Sequence, residues 1–318
     1  MRPVLPLAAA LALGLSGHSP MAAPALTFAP PDSLHHGDRP PLVPDFAQLF
    51  SDPDAWASGW SKLSAFSINT YFATLAPEAL LHDVFGFLTT RHIALEVALQ
   101  ALPVEDCGVG VEGLVQTIRG PVGTVERMKK LNAPVATFGL DEPLTFGHFW
   151  DGHNACRLPV EEVAERLART IAAVRAIYPN ARINDYEVPT GKWYPQWQTV
   201  LPQWLEAYQR HTGTPLDAMT LDANWRDPHW QDAVRQSVRI LHAHGVKAGI
   251  FLDATGGPDV TDGSWMAEAH RNGETIIRDK FGLDFVIVAS WMGHPKRLLP
   301  ASDRLSLTSL IPWFASKF

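Results

Sequence analysis

Five carboxyl groups in this sequence stand where an apolar, strand-like run stops. Asp141 and Glu142 follow the run 134–140, Glu187 comes just before Val188 and Pro189, Asp222 falls near the tip of 216–224, and Asp253 ends 247–253. Pro143 has no N–H to give, so the fourth run cannot continue as a central strand and must hand Asp141 and Glu142 to a loop. That loop is polar and aromatic through Thr145 to Trp150. A helix N-cap at Asp141 with Glu142 in the first turn is the competing reading, and it fits a loop this long and aromatic less well. Carboxyl pairs do acid/base work: one donates a proton to a leaving oxygen, and a second acts as nucleophile or activates water.

Positioning such groups together requires elements that end at one place. Strand-like runs at 25–29, 65–72, 92–99, 134–140, 181–188, 216–224, 247–253 and 283–291 alternate with helical segments at 45–63, 77–89, 122–131, 159–177, 197–212, 230–244 and 265–280. The helix from Pro159 is well marked, with Glu161 and Glu162 at its positive end and Val163, Leu167, Ile171, Val174 and Ile177 on one face. Alternation of this kind predicts a parallel sheet with crossover helices, and eight units close a (β/α)₈ TIM barrel. Its strands deliver their C-terminal residues to one mouth, where that fold keeps its active sites. Neighbours on a strand face opposite sides and both faces of a barrel strand are buried, so the pattern leaves open which acids point inward. The tail from Leu298 is left open as a possible eighth helix.

The 318 residues are 46% hydrophobic and 19% charged, with 26 Lys and Arg against 33 Asp and Glu, a net charge of −7. One large core is affordable, long disordered tracts are not indicated, and no basic run is present to bind phosphates; nucleic acid is excluded as an expected partner. At the N-terminus, Arg2, an apolar run from Val4 to Leu15 and small residues up to Ala25 read as a secretory signal over 1–25, too short to span a bilayer. The remaining 26–318 is expected to be a barrel exported to the periplasm or beyond, with no membrane attachment. Its two cysteines, Cys107 and Cys156, follow neighbouring strands and are disulfide candidates in an oxidising compartment.

A mouth of carboxyls and tryptophans suits sugars, because indole rings cover sugar C–H faces while their N–H edges hydrogen-bond. Five of the 11 tryptophans, Trp150, Trp193, Trp197, Trp225 and Trp291, fall in or beside the rim loops. With Asp141-Glu142-Pro143 ending the fourth strand and Trp291 ending the eighth, the chain resembles the clan A glycoside hydrolases. Their acid/base is a Glu in an Asn-Glu-Pro setting after strand four, and their nucleophile is a Glu after strand seven. The resemblance implies Glu142 as acid/base and Asp253 in the nucleophile's place. Two departures stand out: Asp141 replaces the Asn, and Asp253 is shorter than Glu, so Glu187 or Asp222 could be the partner instead. The adjacent Asp-Glu is also similar to that of hexosaminidases using substrate assistance, in which the Asp orients a 2-acetamido group. Catalytic candidates are therefore Glu142, Asp253 and Asp141. Substrate-binding candidates are Glu187, Asp222, Trp150, Trp193, Trp225, Trp291 and His148. The expected partner is a poly- or oligosaccharide, with no cofactor and no metal.

Two other readings remain. A divalent-metal barrel enzyme would use Glu142, Glu187, Asp222 and Asp253 as ligands with His148 or His294, although no compact His-Glu-x-x-His motif is present. A non-catalytic carbohydrate-binding barrel would keep the aromatic rim and have little use for Glu142. Gly108-Val-Gly110 and Gly256-Gly257 lack the setting of a dinucleotide site, and no serine sits in a Gly-x-Ser-x-Gly elbow. Glu96 and Glu112 are given equal claims to the mouth and to ordinary structural roles.

Overall fold

The computed structural model describes residues 23–32, 34, 43–189, 194–255, 261–291 and 293–318. Residues 1–22 of the expected secretory signal, and Trp193, lie outside these residues. Eight parallel strands close a barrel: β1 Ala25–Ala29, β2 Ala65–Ile68, β3 Ala94–Leu99, β4 Val135–Asp141, β5 Arg182–Glu187, β6 Ala218–Leu221, β7 Lys247–Leu252 and β8 Phe285–Ala289. Closure comes from β1 pairing with β8, Ala25 opposite Phe285 through Ala29 opposite Ala289. The architecture is the TIM barrel.

Long helices follow β2 to β7: α1 Glu78–Thr90, α2 Arg119–Lys130, α3 Val160–Ile177, α4 Trp197–Thr212, α5 Trp230–Ala243 and α6 Asp262–Asp279. On α3, Val163, Leu167, Ile171 and Val174 are all buried. Each contributes roughly 1.5–3 kcal/mol relative to exposure. The tail forms a short helix, α7 Leu310–Ala315, which seats Ile311 and Phe314 in the core.

The second expected strand is cut short for a local reason. The run 65–72 leaves the sheet at Ile68, because the Asn69 side chain accepts from the Phe72 backbone N at 2.7 Å and caps a helix, Thr70–Leu75. Local capping overrides the strand propensity of Tyr71 and Phe72.

Alternation along each strand sorts side chains into two layers. Outside the barrel, a large core is shared with the helices and holds Trp56, Trp197, Trp204 and Trp265, all fully buried. Inside, Tyr186, Phe251, Ile287 and Ala289 form a separate small cluster with Ala29, Ala98 and Phe285. This lumen is narrow: a Cβ at Gly139 would come within 2.1 Å of the Tyr186 hydroxyl, and one at Gly249 within 2.1 Å of the Phe285 ring. Beneath the mouth, buried Glu96 accepts from the Tyr186 hydroxyl at 2.5 Å and from Asn184 Nδ2 at 3.2 Å, and Asn184 Oδ1 accepts from Thr220. Glu96 therefore takes the structural role among the two left open.

Between β3 and α2 the chain makes an excursion whose ends pair as two short strands, Leu102–Pro103 and Leu114–Val115. Its tip is tied to the loop after β4 by the expected disulfide, Cys107–Cys156, with Cα atoms 5.2 Å apart. No helix among the described residues is long and apolar enough to cross a membrane.

Candidate active site

The C-terminal ends of the strands surround a cleft of about 660 Å³, within the range of small-ligand sites. Asp141 and Glu142 reach it from β4, Asp222 from the end of β6, and Trp291 from beyond β8. Asp141 lies two residues beyond lumen-facing Gly139, so alternation turns its side chain inward as well.

Glu142 has φ +50°, a left-handed conformation that is strained for a residue with a Cβ, by about 1–3 kcal/mol. The loop behind it over-determines that geometry. Its carbonyl accepts from Phe146 N at 3.0 Å, and Leu144 N and Thr145 N donate to the two Glu187 oxygens at 2.7 and 2.9 Å. The Thr145 hydroxyl adds a third bond to Glu187 at 2.6 Å. Glu187 is fully buried, and β5 points it, like Asp185, away from the lumen: Asp185 accepts from Trp204 Nε1 of α4 at 2.8 Å. Glu187 thus does not meet the cleft; it anchors the loop that presents Glu142.

The cleft carboxyls hold their protons tightly. Burial, followed by the charge of Glu112, pushes Asp141 up to about 7. Burial raises Glu142 well above the ordinary range, reinforced by Asp222 and Asp141. Asp222 is raised by burial, then by Asp253 and Glu112, while a hydrogen bond with the Glu142 side chain works the other way. The arrangement is a set of crowded carboxyls at the mouth of a cleft, each favouring its protonated form.

Asp253 is close enough to Asp222 to raise it but does not line the cleft. It is fully buried: Oδ1 accepts from Trp225 Nε1 at 2.5 Å and from Thr255 N at 3.2 Å, and Oδ2 from the Thr255 hydroxyl at 2.7 Å. Burial raises it to about 6 against those hydrogen bonds. Thr255 lines the cleft where Asp253 does not.

Of the aromatic candidates, Trp291 faces the cleft, 41% exposed and edge-on to Phe251 at 5.3 Å. Trp225 packs edge-on to Trp230 at 4.7 Å and serves Asp253, and Trp150 packs against Phe146 at 5.9 Å; neither lines the cleft. Trp197 is a fully buried helix residue bonded to Ser237. His148 bonds the Leu158 carbonyl at 2.7 Å and lines an outer groove between α3 and α4. His294 pairs with Asp262 at 2.6 Å. Among the described residues no three His, Cys, Asp or Glu side chains converge in a way that could hold a metal ion.

Glu112, left open between the mouth and a structural role, lines the cleft. Gly113 explains how: at φ +72° its backbone lies so close to β4 that a Cβ would sit 2.0 Å from the Asp141 carbonyl oxygen. The Gly113 carbonyl accepts from Ala101 N and Leu102 N, so the excursion is stitched to the rim on both sides. A Glu-Gly step in a glycine-rich, cysteine-bearing loop after the third strand was the available signal.

No protein-family model and no curated protein matches the sequence. Solved structures match in fold. A psychrophilic glycoside hydrolase family 10 endo-β-1,4-xylanase is similar over 83% of this chain and 85% of its own, at 10% identity and a TM-score of 0.50. A thermostable mutant of a xylanase from Cellvibrio japonicus is similar over 88% and 91%, at 10% identity and 0.51. GH5_18 from Streptomyces cattleya, solved in complex with GlcNAc, is similar over 86% and 71%, at 9% identity and 0.51. At these identities the likeness is one of fold: this chain is a TIM barrel similar in architecture to those of family 10 xylanases and a GH5 protein.

Proposed function

We propose that the chain is an exported glycoside hydrolase that cleaves a poly- or oligosaccharide with Glu142 as proton donor and Asp222 as its carboxylate partner. The observation that carries this reading is the pair of carboxyls, Glu142 and Asp222, lining one cleft close enough for the charge of Asp222 to raise Glu142, which is held well above the ordinary carboxylate range. Glycoside cleavage asks for that combination, an acid that stays protonated near neutral pH and a nearby carboxylate. Asp222 displaces Asp253 as the preferred partner because it reaches the cleft, whereas Asp253 spends its oxygens on Trp225 and Thr255. Asp141 stands beside both and serves to hold Glu142 protonated. Trp291 offers the flat apolar surface on which a sugar ring packs. Export rests on the signal-like 1–25 and is supported by the Cys107–Cys156 bond, which suits an oxidising compartment.

The test is release of reducing sugar from a panel of plant and microbial polysaccharides and their oligomers, with and without EDTA, by the wild type and by Glu142→Gln. Turnover that survives EDTA and falls at least ~10²-fold in the variant supports the reading. Binding without turnover, unchanged in the variant, would favour a glycan-binding barrel, and loss of turnover in EDTA a metal enzyme.

A further inference from the structure

Asp253 is a buried carboxyl in a place where a neutral acceptor would do. Its Oδ1 takes the Trp225 indole N–H at 2.5 Å. Other indoles of the barrel are satisfied without a charge: Trp56 donates to the Leu49 carbonyl at 2.8 Å, Trp60 to the Pro53 carbonyl at 3.1 Å and Trp197 to the Ser237 hydroxyl at 2.9 Å. Among the described residues only Trp204, on Asp185, also uses a carboxyl. Desolvating a carboxylate opposes folding far more than desolvating a hydroxyl or a carbonyl, so the charge at Asp253 calls for a reason.

Its surroundings supply one. The segment that carries Asp222 is fastened at two points. At its start, Asp222 N donates to the Glu187 carbonyl on β5 at 2.8 Å. Three residues on, the Trp225 indole reaches Asp253 just beyond β7. Between those bonds lie Ala223 and Asn224, which line the cleft beside Asp222. Asp253 is itself held on all sides: Thr255 donates to it through its N at 3.2 Å and its hydroxyl at 2.7 Å, and its backbone carbonyl accepts from Asn272 Nδ2 of α6 at 2.9 Å. Trp225 is closed in from the other direction by Trp230 of α5.

We propose that Asp253 is a positioning residue for Asp222: it clamps the Trp225 indole, and the clamp holds the segment 222–225 so that the Asp222 carboxyl stays in the cleft. This rests on the hydrolase reading for the task of Asp222, and on the hydrogen bonds alone for the clamp. The charge adds a second effect. All three donors to the Asp253 carboxyl favour its ionised form, and against burial they leave it at about 6, so near neutral pH it stands as a carboxylate behind Asp222. The other groups that face Asp222 are Glu112 from the excursion after β3 and Asp141 and Glu142 from β4, and among the described residues no Lys, Arg or His lines the cleft. A like charge beside Asp222 makes it a stronger base and moves to higher pH the point at which it loses its proton. Removing the charge of Asp253 therefore lowers that pH, and removing the Trp225 N–H loosens the segment.

The experiment is a pH titration of the full chain by NMR, following Asp carboxyl carbons and Trp indole N–H groups in the wild type, Asp253→Asn and Trp225→Phe. Asp222→Asn identifies the Asp222 carboxyl signal, and the indole signal missing from Trp225→Phe identifies Trp225. In the wild type the Trp225 indole should shift with a midpoint of about 6. In Asp253→Asn, whose amide oxygen still accepts the indole, that titration should vanish and the Asp222 midpoint should fall by at least about 0.5 pH unit. Hydrolysis should follow: Asp253→Asn moves the acid limb of the rate profile down by the same amount, and Trp225→Phe lowers kcat at least ~10-fold with little change in KM. If Asp253→Asn does not fold, Thr255→Val removes one donor and should raise the midpoint of the Trp225 indole. A purely structural Asp253 would lower the melting temperature in the variant and leave the Asp222 midpoint and the acid limb where they were. That result, a Trp225 indole that does not titrate, or wild-type kcat in Trp225→Phe would each overturn the proposal. If the NMR shifts appear and the wild type hydrolyses no glycan, the hydrolase reading falls and the clamp stands. If hydrolysis depends on Glu142 while Asp253→Asn leaves Asp222 unmoved, the reverse holds.

Discussion

Replacing Glu187 separates an anchor from a catalyst. Its two oxygens accept three hydrogen bonds, from Leu144 N, Thr145 N and the Thr145 hydroxyl, in a place with no access to water. Glu187→Ala strands all three donors, and at about 1–3 kcal/mol for each unsatisfied buried group, less what a turned Thr145 hydroxyl recovers, the expected loss is about 3–5 kcal/mol. Glu187→Gln keeps the shape and one acceptor but turns an amide N–H toward a donor, and should lose about 1–3 kcal/mol. Urea unfolding of both variants gives these numbers. Hydrolysis at a temperature where the Gln variant is still folded should fall modestly, because the Leu144–Thr145 segment is what holds Glu142 at φ +50°. A Gln variant with wild-type stability and no turnover would refute this reasoning and return Glu187 to the chemistry.

The pH dependence of stability should run against the usual direction for a carboxyl-rich protein. Asp141 goes from an ordinary 3.8 to about 7 on folding, so between those values the folded chain binds a proton that the unfolded chain does not. Its contribution is complete below about pH 4 and is lost as pH rises through 7, at most about 4 kcal/mol for a gap of roughly three pH units. Unfolding at pH 5 and pH 8 should show lower stability at pH 8, and Asp141→Asn should flatten the difference; an unchanged slope in that variant counts against the assignment. Changing both Cys107 and Cys156 to Ser opens a link of sequence separation 49 and should cost about 2–4 kcal/mol in urea unfolding. It should also lower the pH at which Glu142 loses its proton, as Glu112 drifts from the cluster, visible as an earlier alkaline fall in the pH–rate profile. Trp291→Ala should raise KM about tenfold with little change in melting temperature, since the ring is 41% exposed and supports mainly the cleft wall; a loss of folding would mark it as core instead.

The eight strands were legible because apolar runs and helical periodicities alternate so regularly, and Pro143 marked where the fourth would surrender its acids. Facing was not legible. Asp185 and Glu187 share the outer side of β5 while Asn184 and Tyr186 fill the lumen, and in a strand buried on both sides the residue types alone do not choose between these registers. The choice is made by packing, as the Gly139–Tyr186 contact fixes which residues of β4 and β5 meet. Asp253 shows a second limit: reaching the end of a strand is not reaching the cleft when Trp225 and Thr255 have taken its oxygens. Glu112 shows the converse, a residue from a loop with no strand of its own at the mouth, carried there by a disulfide and a glycine. Trp197 looked like rim by position but is core by packing.

The central claim is that Glu142 gives its proton to a departing sugar oxygen, and leaving-group dependence tests it most directly. Rates for the wild type and Glu142→Gln would be compared on a natural oligosaccharide and on the same sugar carrying a dinitrophenyl group, whose oxygen needs no proton to leave. The account predicts a loss of at least ~10²-fold on the natural bond and a much smaller one on the activated aryl glycoside. Equal losses on both, or wild-type rates on the natural bond, would contradict it.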